Sequence, residues 1–409
     1  MNELNSRKRI IAGSSLFIIG YWVLLISDWW PLRRSGIRGF SNYIDLNAVI
    51  TWADCYKNVG NRVYLADDNL CSGYLYGVTL LKIINLLGFS KLNINLMGSF
   101  LIFLLSISFS YFLFANEAPI KKRFAIFAIL YSPGIWLLSE RGNIDSVIYL
   151  LIFGACFAYS LKKPVIFILF ISISTLFKFY TLPLLLLTPF FVKGIKYKFF
   201  SIISIITCTA TVMMDIVKIK SDFPFTWYAS FGNSTFGIWL NLLTTRLKLN
   251  INPINSKISV ALGILLFLLI SGILWKLKNK NNNNSLVRKS LHDFSLHEIF
   301  MLCFGIIQLS CFLAGTNYDY RLIFTAAFFA VYVVYEDKIL KFNLALVSIL
   351  ATAFWFSWFT FGYQIQANQQ SPDWFIVMQF IGDISIFVIS SIIAIQIIDI
   401  LRRSLGKKI

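Results

Sequence analysis

The chain alternates long apolar runs with short basic loops. Apolar runs of about 18 residues recur along its 409 residues, and a helix needs about that length to cross a bilayer. Because the runs are continuous, they do not resemble barrel strands, which alternate apolar and polar residues in segments of about ten. The pattern predicts an all-α polytopic membrane protein, a helical bundle with twelve transmembrane helices at 10–30, 93–115, 123–139, 144–161, 164–177, 180–192, 199–217, 258–275, 298–314, 322–336, 342–361 and 374–400.

Three of these predicted spans have a second interpretation. The first follows a basic cluster at 7–9, as a signal peptide would, but it continues for about twenty residues without a small-residue cleavage site, which favours an uncleaved span. The pair within 164–192 is short. Its break at 178–180 is compatible with two separate spans or with a re-entrant hairpin.

The composition supports a membrane protein and argues against nucleic-acid binding. The sequence is 57% hydrophobic and 14% charged, whereas soluble domains carry about 25% charged residues. The net charge of +18 is spread between the apolar runs and forms no single patch. We interpret these basic residues as topology signals and as anchors for anionic lipids.

The positions of the basic loops predict an orientation. Most Lys and Arg residues fall in short loops on one side, which predicts that both termini lie in the cytoplasm. The expected location is a bacterial inner membrane. Two long segments, 31–92 and 218–257, then lie outside, and residues 73–89 suit a helix lying on the membrane. The expected organisation has three parts, namely an N-terminal catalytic unit at 1–275, a polar cytoplasmic linker at 276–297 and C-terminal helices at 298–409.

Cysteine and histidine positions suggest no metal site or cofactor. Cys55 and Cys71 both fall in the first outer segment, where a disulfide and two free thiols remain equally open. His292 and His297 are five residues apart, which does not fit a zinc-binding helix. The sequence also contains no Gly-rich phosphate loop, so ATP hydrolysis within this chain is not expected.

Asp45 is the main candidate for a catalytic base. It follows the first predicted span at the start of the outer segment, where a carboxylate can accept a proton from a hydroxyl nucleophile. Asp54, Asp67 and Asp68 come later in that segment, and we interpret them as solvated loop residues.

A second polar island joins two predicted spans. Glu140 and Asn143, like Arg141 and Asp145, have helical spacings that let them face each other. An Arg141–Asp145 pair that only caps the helix ends would explain part of this pattern. The density of polar groups in so short a turn favours a substrate-binding site.

Two cations at predicted outer ends suit a phosphate group. Lys178 interrupts apolar sequence on both sides, and Arg321 offers a bidentate guanidinium. The alternatives are that Lys178 reaches the membrane surface and that Arg321 pairs with Asp319. Asn233 and Ser234 precede an apolar segment and suit either a sugar contact or a helix cap.

Together these islands resemble the C-type integral membrane glycosyltransferases, in particular bacterial polyprenyl-phosphate-mannose-dependent mannosyltransferases. The resemblance covers roughly residues 10–250. The residues that carry it follow the family's order and are Asp45, Gly60, Tyr64, Tyr74-Leu75-Tyr76, Arg141-Gly142-Asn143, Lys178-Phe179-Tyr180 and, loosely, Asn233-Ser234. The family's paired prolines are absent, because Gly77 and Val78 stand in their place.

The resemblance implies inverting transfer of a sugar from a polyprenyl-phosphate donor to a glycan or lipid acceptor on the outer face. Asp45 would deprotonate the acceptor hydroxyl, Lys178 and Arg321 would hold the phosphate, and Tyr180 would lie beside them. A transporter or flippase of lipid-linked glycans, or a glycan polymerase, is the main alternative. A transporter is expected to carry charges near the bilayer midplane and internal repeats, and no repeat is evident.

Overall fold

The computed structural model describes residues 43–64, 74, 76–114, 118–218, 256–280, 291–314, 317–335, 344–356 and 373–405, with a few isolated short pieces elsewhere. Most of the first predicted span, most of 218–257, and the predicted site residues Asn233 and Ser234 lie outside the described residues.

The described segments are almost entirely helical. Their α-helices are α1 Ile44–Val59, α2 Val78–Leu86, α3 Ile94–Phe114, α4 Ile120–Leu130, α5 Pro133–Arg141, α6 Asp145–Ser160, α7 Pro164–Phe177, α8 Leu182–Phe191, α9 Ile195–Lys218, α10 Ser256–Lys280, α11 Leu296–Leu313, α12 Ile323–Tyr335, α13 Leu344–Ala351 and α14 Asp373–Leu405. One π-helical turn, Thr352–Phe356, follows α13. Two-residue strands, β1 Ser230–Phe231 and β2 Asn317–Tyr318, pair antiparallel.

Within the described residues, five helices are long and apolar enough to cross a bilayer. They lie in α3, α9, α10, α11 and α14, and each overlaps a predicted span. The protein is therefore an integral, multi-pass helical membrane protein. Four shorter apolar helices, α6, α7, α12 and the α8 segment, lie among the other predicted spans.

The span predicted at 123–139 is two helices in the structure. Helix α4 ends at Leu130, Tyr131 and Ser132 form a turn, and α5 begins at Pro133. Proline lacks a backbone N–H and is favoured at the first position of a helix, so it starts a new helix here. Hydropathy alone does not detect this break, because apolar residues continue on both sides of it.

Helices α7, α8 and α9 form consecutive antiparallel neighbours. The Phe167 ring near the start of α7 lies 5.9 Å from the Phe191 ring at the end of α8, so the two helices fold back on each other. Thr188 of α8 hydrogen-bonds Ser201 of α9. The residues at 178–181 therefore form the tip of a helical hairpin.

An aromatic core joins α3, α6 and α11. The ring of Phe300 lies 5.4 Å from both Phe112 and Phe153. Phe112 and Phe300 are buried, and Phe153 is partly buried. Edge-to-face and tilted ring pairs of this kind stabilise helix contacts beyond simple area burial. This core fixes the relative positions of the three helices whose ends reach the polar site.

The described part of the 31–92 segment contains two helices that pack together. The Asn85 side chain at the end of α2 donates a 2.8 Å hydrogen bond to the Ala53 carbonyl of α1. Helix α2 lies within the predicted 73–89 segment, and its last residue, Leu86, is largely exposed. Cys55 of α1 is disulfide-bonded, and Cys71, its candidate partner in the sequence, lies outside the described residues.

The region predicted as a polar linker begins inside a helix. Helix α10 continues to Lys280, and its Lys278 forms an ion pair with Asp399 of α14. Helix α11 starts with a capping box, in which the backbone N–H of Ser295 donates 2.8 Å to the Glu298 carboxylate. The ion pair connects α10 directly with α14 among the C-terminal helices.

Candidate functional site

Asp45 lies in the first turn of α1 and is held by two side chains from the 139–145 turn. Arg141 binds it in bidentate fashion, with Nε 2.9 Å from Oδ2 and Nη2 2.5 Å from Oδ1. The Asn143 amide donates to Oδ2 at 2.6 Å. The Asp45 side chain is 17% exposed and that of Arg141 is 36% exposed, so this carboxylate is at the edge of the packed protein.

Two glycines and a tyrosine shape the turn that brings these residues together. Gly142 ends α5 with φ of 59°, in the left-handed region that favours glycine. The buried Tyr43 precedes α1, and its backbone N–H donates 2.9 Å to the Glu140 carbonyl. A Cβ at Gly98 would lie 2.5 Å from the Tyr43 ring. The close approach of α3 to this ring therefore requires glycine.

Asp145, the first residue of α6, forms a second carboxylate centre. Lys178 Nζ lies 2.7 Å from its Oδ1, and Arg321 Nε lies 3.2 Å from its Oδ2. The Tyr180 hydroxyl also donates to Oδ1. Asp145 and Lys178 are fully buried and the Arg321 side chain is 11% exposed. Lys178 and Arg321 are 143 positions apart in the sequence, and the fold brings both to one carboxylate.

The two centres are directly connected. The Asn143 side chain donates to Asp45 through Nδ2 and accepts a 2.9 Å hydrogen bond from the Asp145 backbone N–H through Oδ1. Both functions of one amide are therefore used, so its orientation is fixed. Displacement of either carboxylate would disturb the other centre through Asn143.

Lys178 is positioned by the tip of the α7–α8 hairpin. Its backbone is extended, with φ of −146° and ψ of 128°, between α7 and a 3₁₀ turn at Phe179–Thr181. Its ammonium does not reach the surface, since the residue is fully buried. The alternative of a lysine that extends to the membrane surface is therefore wrong for Lys178.

Aromatic rings surround the cations. The Lys178 ammonium lies 4.5 Å from the centre of the Tyr76 ring, and the Arg321 guanidinium lies 5.4 Å from that of Tyr180. Such contacts stabilise cations that have lost water. The Tyr64 hydroxyl holds the Tyr76 segment by donating 3.0 Å to the Tyr76 carbonyl. The tyrosines named in the family resemblance thus lie around Lys178.

Sequence reasoning missed Asp215, a buried carboxylate of α9 behind this tyrosine layer. Its carboxylate lies beside the Tyr64 hydroxyl and the Val78 backbone N–H. Burial raises the pKa of Tyr64, and the negative Asp215 raises it further. Tyr64 is therefore a neutral hydrogen-bond donor at ordinary pH. An acidic residue within an apolar run would have indicated Asp215, because such residues are costly at membrane depth.

The paired groups carry an excess of positive charge. Three cations, Arg141, Lys178 and Arg321, face the two carboxylates Asp45 and Asp145. The formal charges of these five side chains sum to about +1, which favours an additional anion beside them.

No protein-family model, curated protein or solved structure matches the chain.

The structure brings together most of the residues selected from the sequence. Seven of them form one continuous set of polar contacts, namely Asp45, Arg141, Asn143, Asp145, Lys178, Tyr180 and Arg321. Glu140 contributes its backbone carbonyl to the Tyr43 turn. Arg141 binds Asp45, and Arg321 binds Asp145, where sequence spacing had suggested Arg141–Asp145 and Arg321–Asp319 pairs as alternatives. Asp54 is exposed, as expected for a solvated residue.

The described residues also limit the site's metal-binding capacity. Within that part of the chain, no group of three or more His, Cys, Asp or Glu side chains lies together in a way that could hold a metal ion. The chemistry that this arrangement offers is ionic and hydrogen-bonding, with one partly accessible carboxylate beside buried cations.

Proposed function

We propose that the chain is an integral membrane glycosyltransferase that moves a sugar, with mannose as the first candidate, from a polyprenyl-phosphate donor to a hydroxyl of a glycan or lipid acceptor. One observation carries this proposal. Buried Lys178 and Arg321 converge on Asp145 where several apolar helices end. A lipid phosphate suits both features, since it supplies an anion for the cations and an isoprenoid chain for the apolar surroundings.

In this proposal Lys178 and Arg321 bind the donor phosphate while remaining in contact with Asp145. Asp145 accepts from Lys178, Tyr180 and Arg321 and is fully buried. Because it is fully enclosed, Asp145 suits a positioning role. It holds the two cations side by side, where one phosphate can contact both.

Asp45 is the better candidate for the base. Its two oxygens accept three hydrogen bonds, from Arg141 twice and from Asn143 once. A carboxylate has about four acceptor positions, so one position on Oδ1 remains for an acceptor hydroxyl. Its partial exposure gives an acceptor access that the buried Asp145 does not have.

The proposed transfer step balances without a further reactant. The acceptor oxygen forms a bond to the anomeric carbon while the bond from that carbon to the phosphate oxygen breaks. The leaving oxygen takes the electron pair and becomes part of polyprenyl phosphate, whose charge Lys178 and Arg321 stabilise. The acceptor hydroxyl gives its proton to Asp45.

Release of polyprenyl phosphate tests the proposal without knowledge of the acceptor. Membranes containing the chain or its Asp45→Asn variant are supplied with polyprenyl-phosphate monosaccharides labelled in the sugar and in the phosphate. We expect the two labels to separate only with the unmodified chain. Donors that keep both labels under every condition, with membrane acceptors present, would contradict the proposal.

Transport of a lipid-linked glycan remains the second candidate because charged residues occur within long apolar helices. Asp215 of α9 and Asp383 of α14 are both buried, and such residues often mark transport paths. Sealed vesicles distinguish the two functions. A transporter moves the doubly labelled lipid across the membrane intact, whereas a transferase separates the labels.

A further inference from the structure

A fully buried glutamine lies in α11, among apolar neighbours. Neither the Oε1 nor the Nε2 of Gln308 has a hydrogen-bond partner among the described residues, and the side chain has no exposed surface. Of the described hydroxyls that share this condition, Ser146 Oγ on α6 and Thr325 Oγ1 on α12 lie on the two helices that pack against α11 at this end. Buried polar atoms are nearly always paired in folded proteins, so three such groups require an explanation.

The packing of α6 against α11 places Gln308 at the level of Asp145. Two ring contacts fix this register, Tyr149 with Phe304 at 5.4 Å and Phe153 with Phe300 at 5.4 Å. The two helices therefore run antiparallel, and in each helix residues four positions apart lie on the same face. One turn before Tyr149 lies Asp145, and one turn after Phe304 lies Gln308.

The packing of α11 against α12 brings Thr325 to the same level. A Cβ at Gly305 would lie 3.2 Å from the Phe328 ring, and the two helices follow each other in the chain as a hairpin. Gln308 lies three positions after Gly305 on α11, and Thr325 lies three positions before Phe328 on α12. The neighbouring Phe324 ring is 5.8 Å from the Tyr180 ring, which connects this level with the Asp145 centre.

We propose that Gln308, Thr325 and Ser146 form a neutral floor of the site that hydrogen-bonds the hydroxyl groups of the donor sugar. This inference rests on the proposed function. A carboxamide and two hydroxyls offer both donors and acceptors without charge, which matches a sugar and not a phosphate. Their level beside Asp145 places them next to the cations proposed to hold the phosphate, as the two parts of one sugar phosphate require.

The test compares lipids with and without the sugar. Binding of farnesyl phosphate and of its mannosyl, glucosyl and galactosyl esters is measured on the full chain in lipid nanodiscs. The test variant is Gln308→Leu, which replaces an unpaired buried amide by an apolar side chain of similar size and is expected to fold at least as stably. Thr325→Val serves as a second variant of the same kind.

Gln396→Leu is the matched control. Gln396 is a buried glutamine of α14 whose Nε2 donates 3.4 Å to the Tyr332 hydroxyl. Tyr332 lies seven positions beyond Thr325 on α12, about 10 Å along the helix. We expect Gln396→Leu to bind every lipid as the unmodified chain does.

The expected result is a loss of about tenfold in affinity of Gln308→Leu for the glycosylated lipid that the unmodified chain binds best, with unchanged affinity for farnesyl phosphate. Unchanged binding of both lipids, or an equal loss for both, would overturn the sugar-floor inference and leave the proposed function standing. If the unmodified chain binds neither farnesyl phosphate nor its esters, the proposed function fails and the inference with it.

Discussion

Lys178 Nζ and Asp145 Oδ1 are 2.7 Å apart, and both side chains are fully buried. The pair joins the tip of the α7–α8 hairpin to the first residue of α6. Ionic groups in such surroundings are costly unless they remain paired. This contact therefore ties the tip of the hairpin to α6 and keeps a cation at the site.

Removal of the Lys178 charge should destabilise the fold. Lys178→Met leaves the buried Asp145 with less compensation, and breaking a buried pair costs about 3–5 kcal/mol. The additional substitution Asp145→Asn should recover part of this loss, because it removes the uncompensated charge. Thermal unfolding in nanodiscs measures both effects, with Lys57→Met at an exposed position of α1 as the control. Equal stability of the Lys178→Met and Lys57→Met proteins would contradict this prediction.

Asp45→Asn should abolish most turnover while donor binding persists. The amide cannot accept a proton as a carboxylate does, and a catalytic base contributes about 10²–10⁴ in rate. Asn retains a carbonyl oxygen for Arg141, so the turn should keep its shape. Sugar transfer and farnesyl-phosphate binding are measured separately. Asp54→Asn is the matched control in the same helix, and similar rates for the two variants would remove Asp45 from the base role.

The sequence indicated the charged residues of the site but not how they pair. Lys178 and Asp145 were recognisable because ionisable groups at the ends of apolar runs are costly. Helical spacing favoured a contact between Arg141 and Asp145, whereas in the folded protein Arg141 forms an ion pair with Asp45. Contacts across 96 positions depend on the arrangement of α1, α5 and α6, which local periodicity does not encode.

Hydropathy located most helices but missed breaks and neutral polar residues. The turn before Pro133 lies inside an apolar run, so the pattern predicted a single span there. Gln308 is uncharged and lies among apolar residues of α11, so nothing in its surroundings marked it as part of a site. Its significance depends on the register of three helices and on its lack of a hydrogen-bond partner within the described residues.

Gly98→Ala should disturb the Asp45 centre from the neighbouring helix. The added Cβ would lie 2.5 Å from the Tyr43 ring, so the ring must move, at a cost of about 1–3 kcal/mol for overpacking. Tyr43 precedes α1 and binds the Glu140 carbonyl, so transfer activity should fall as well. Gly272→Ala in α10 is the control, because nothing lies within 4 Å of its added Cβ. If both variants have the same unfolding temperature and activity, the close approach at Gly98 has no consequence.

Tyr64 should make the stability of the fold depend on alkaline pH. Burial raises the pKa of Tyr64 above its usual value, with Asp215 adding to the effect. The folded state therefore holds the phenol proton more tightly than the unfolded chain. Its contribution is fully present below the unfolded pKa of about 10 and is lost as pH rises above it.

Unfolding of the unmodified chain and of Tyr64→Phe between pH 8 and about 11 measures this contribution. The decline in stability above a pH of about 10 should be shallower in Tyr64→Phe. This variant lacks the phenol that loses its proton more readily in the unfolded chain than in the folded state. Parallel pH profiles would show that Tyr64 does not contribute to the alkaline loss of stability.

The ion pair between Lys278 of α10 and Asp399 of α14 should hold α10 to the rest of the bundle. The two side chains are 8% and 9% exposed, whereas Leu265, Leu268 and Leu269 of α10 are largely exposed. Lys278→Met leaves the Asp399 carboxylate buried without this cation, which costs about 3–5 kcal/mol. The exchanged pair Lys278→Asp with Asp399→Lys should recover part of the loss.

Lys276→Met, at an exposed position in the same helix, should stay within about 0.5 kcal/mol of the unmodified chain. Farnesyl-phosphate binding per folded molecule should be unchanged in all these variants, because neither Lys278 nor Asp399 belongs to the proposed phosphate site. A loss of lipid binding without a loss of stability would instead make this pair part of the substrate path.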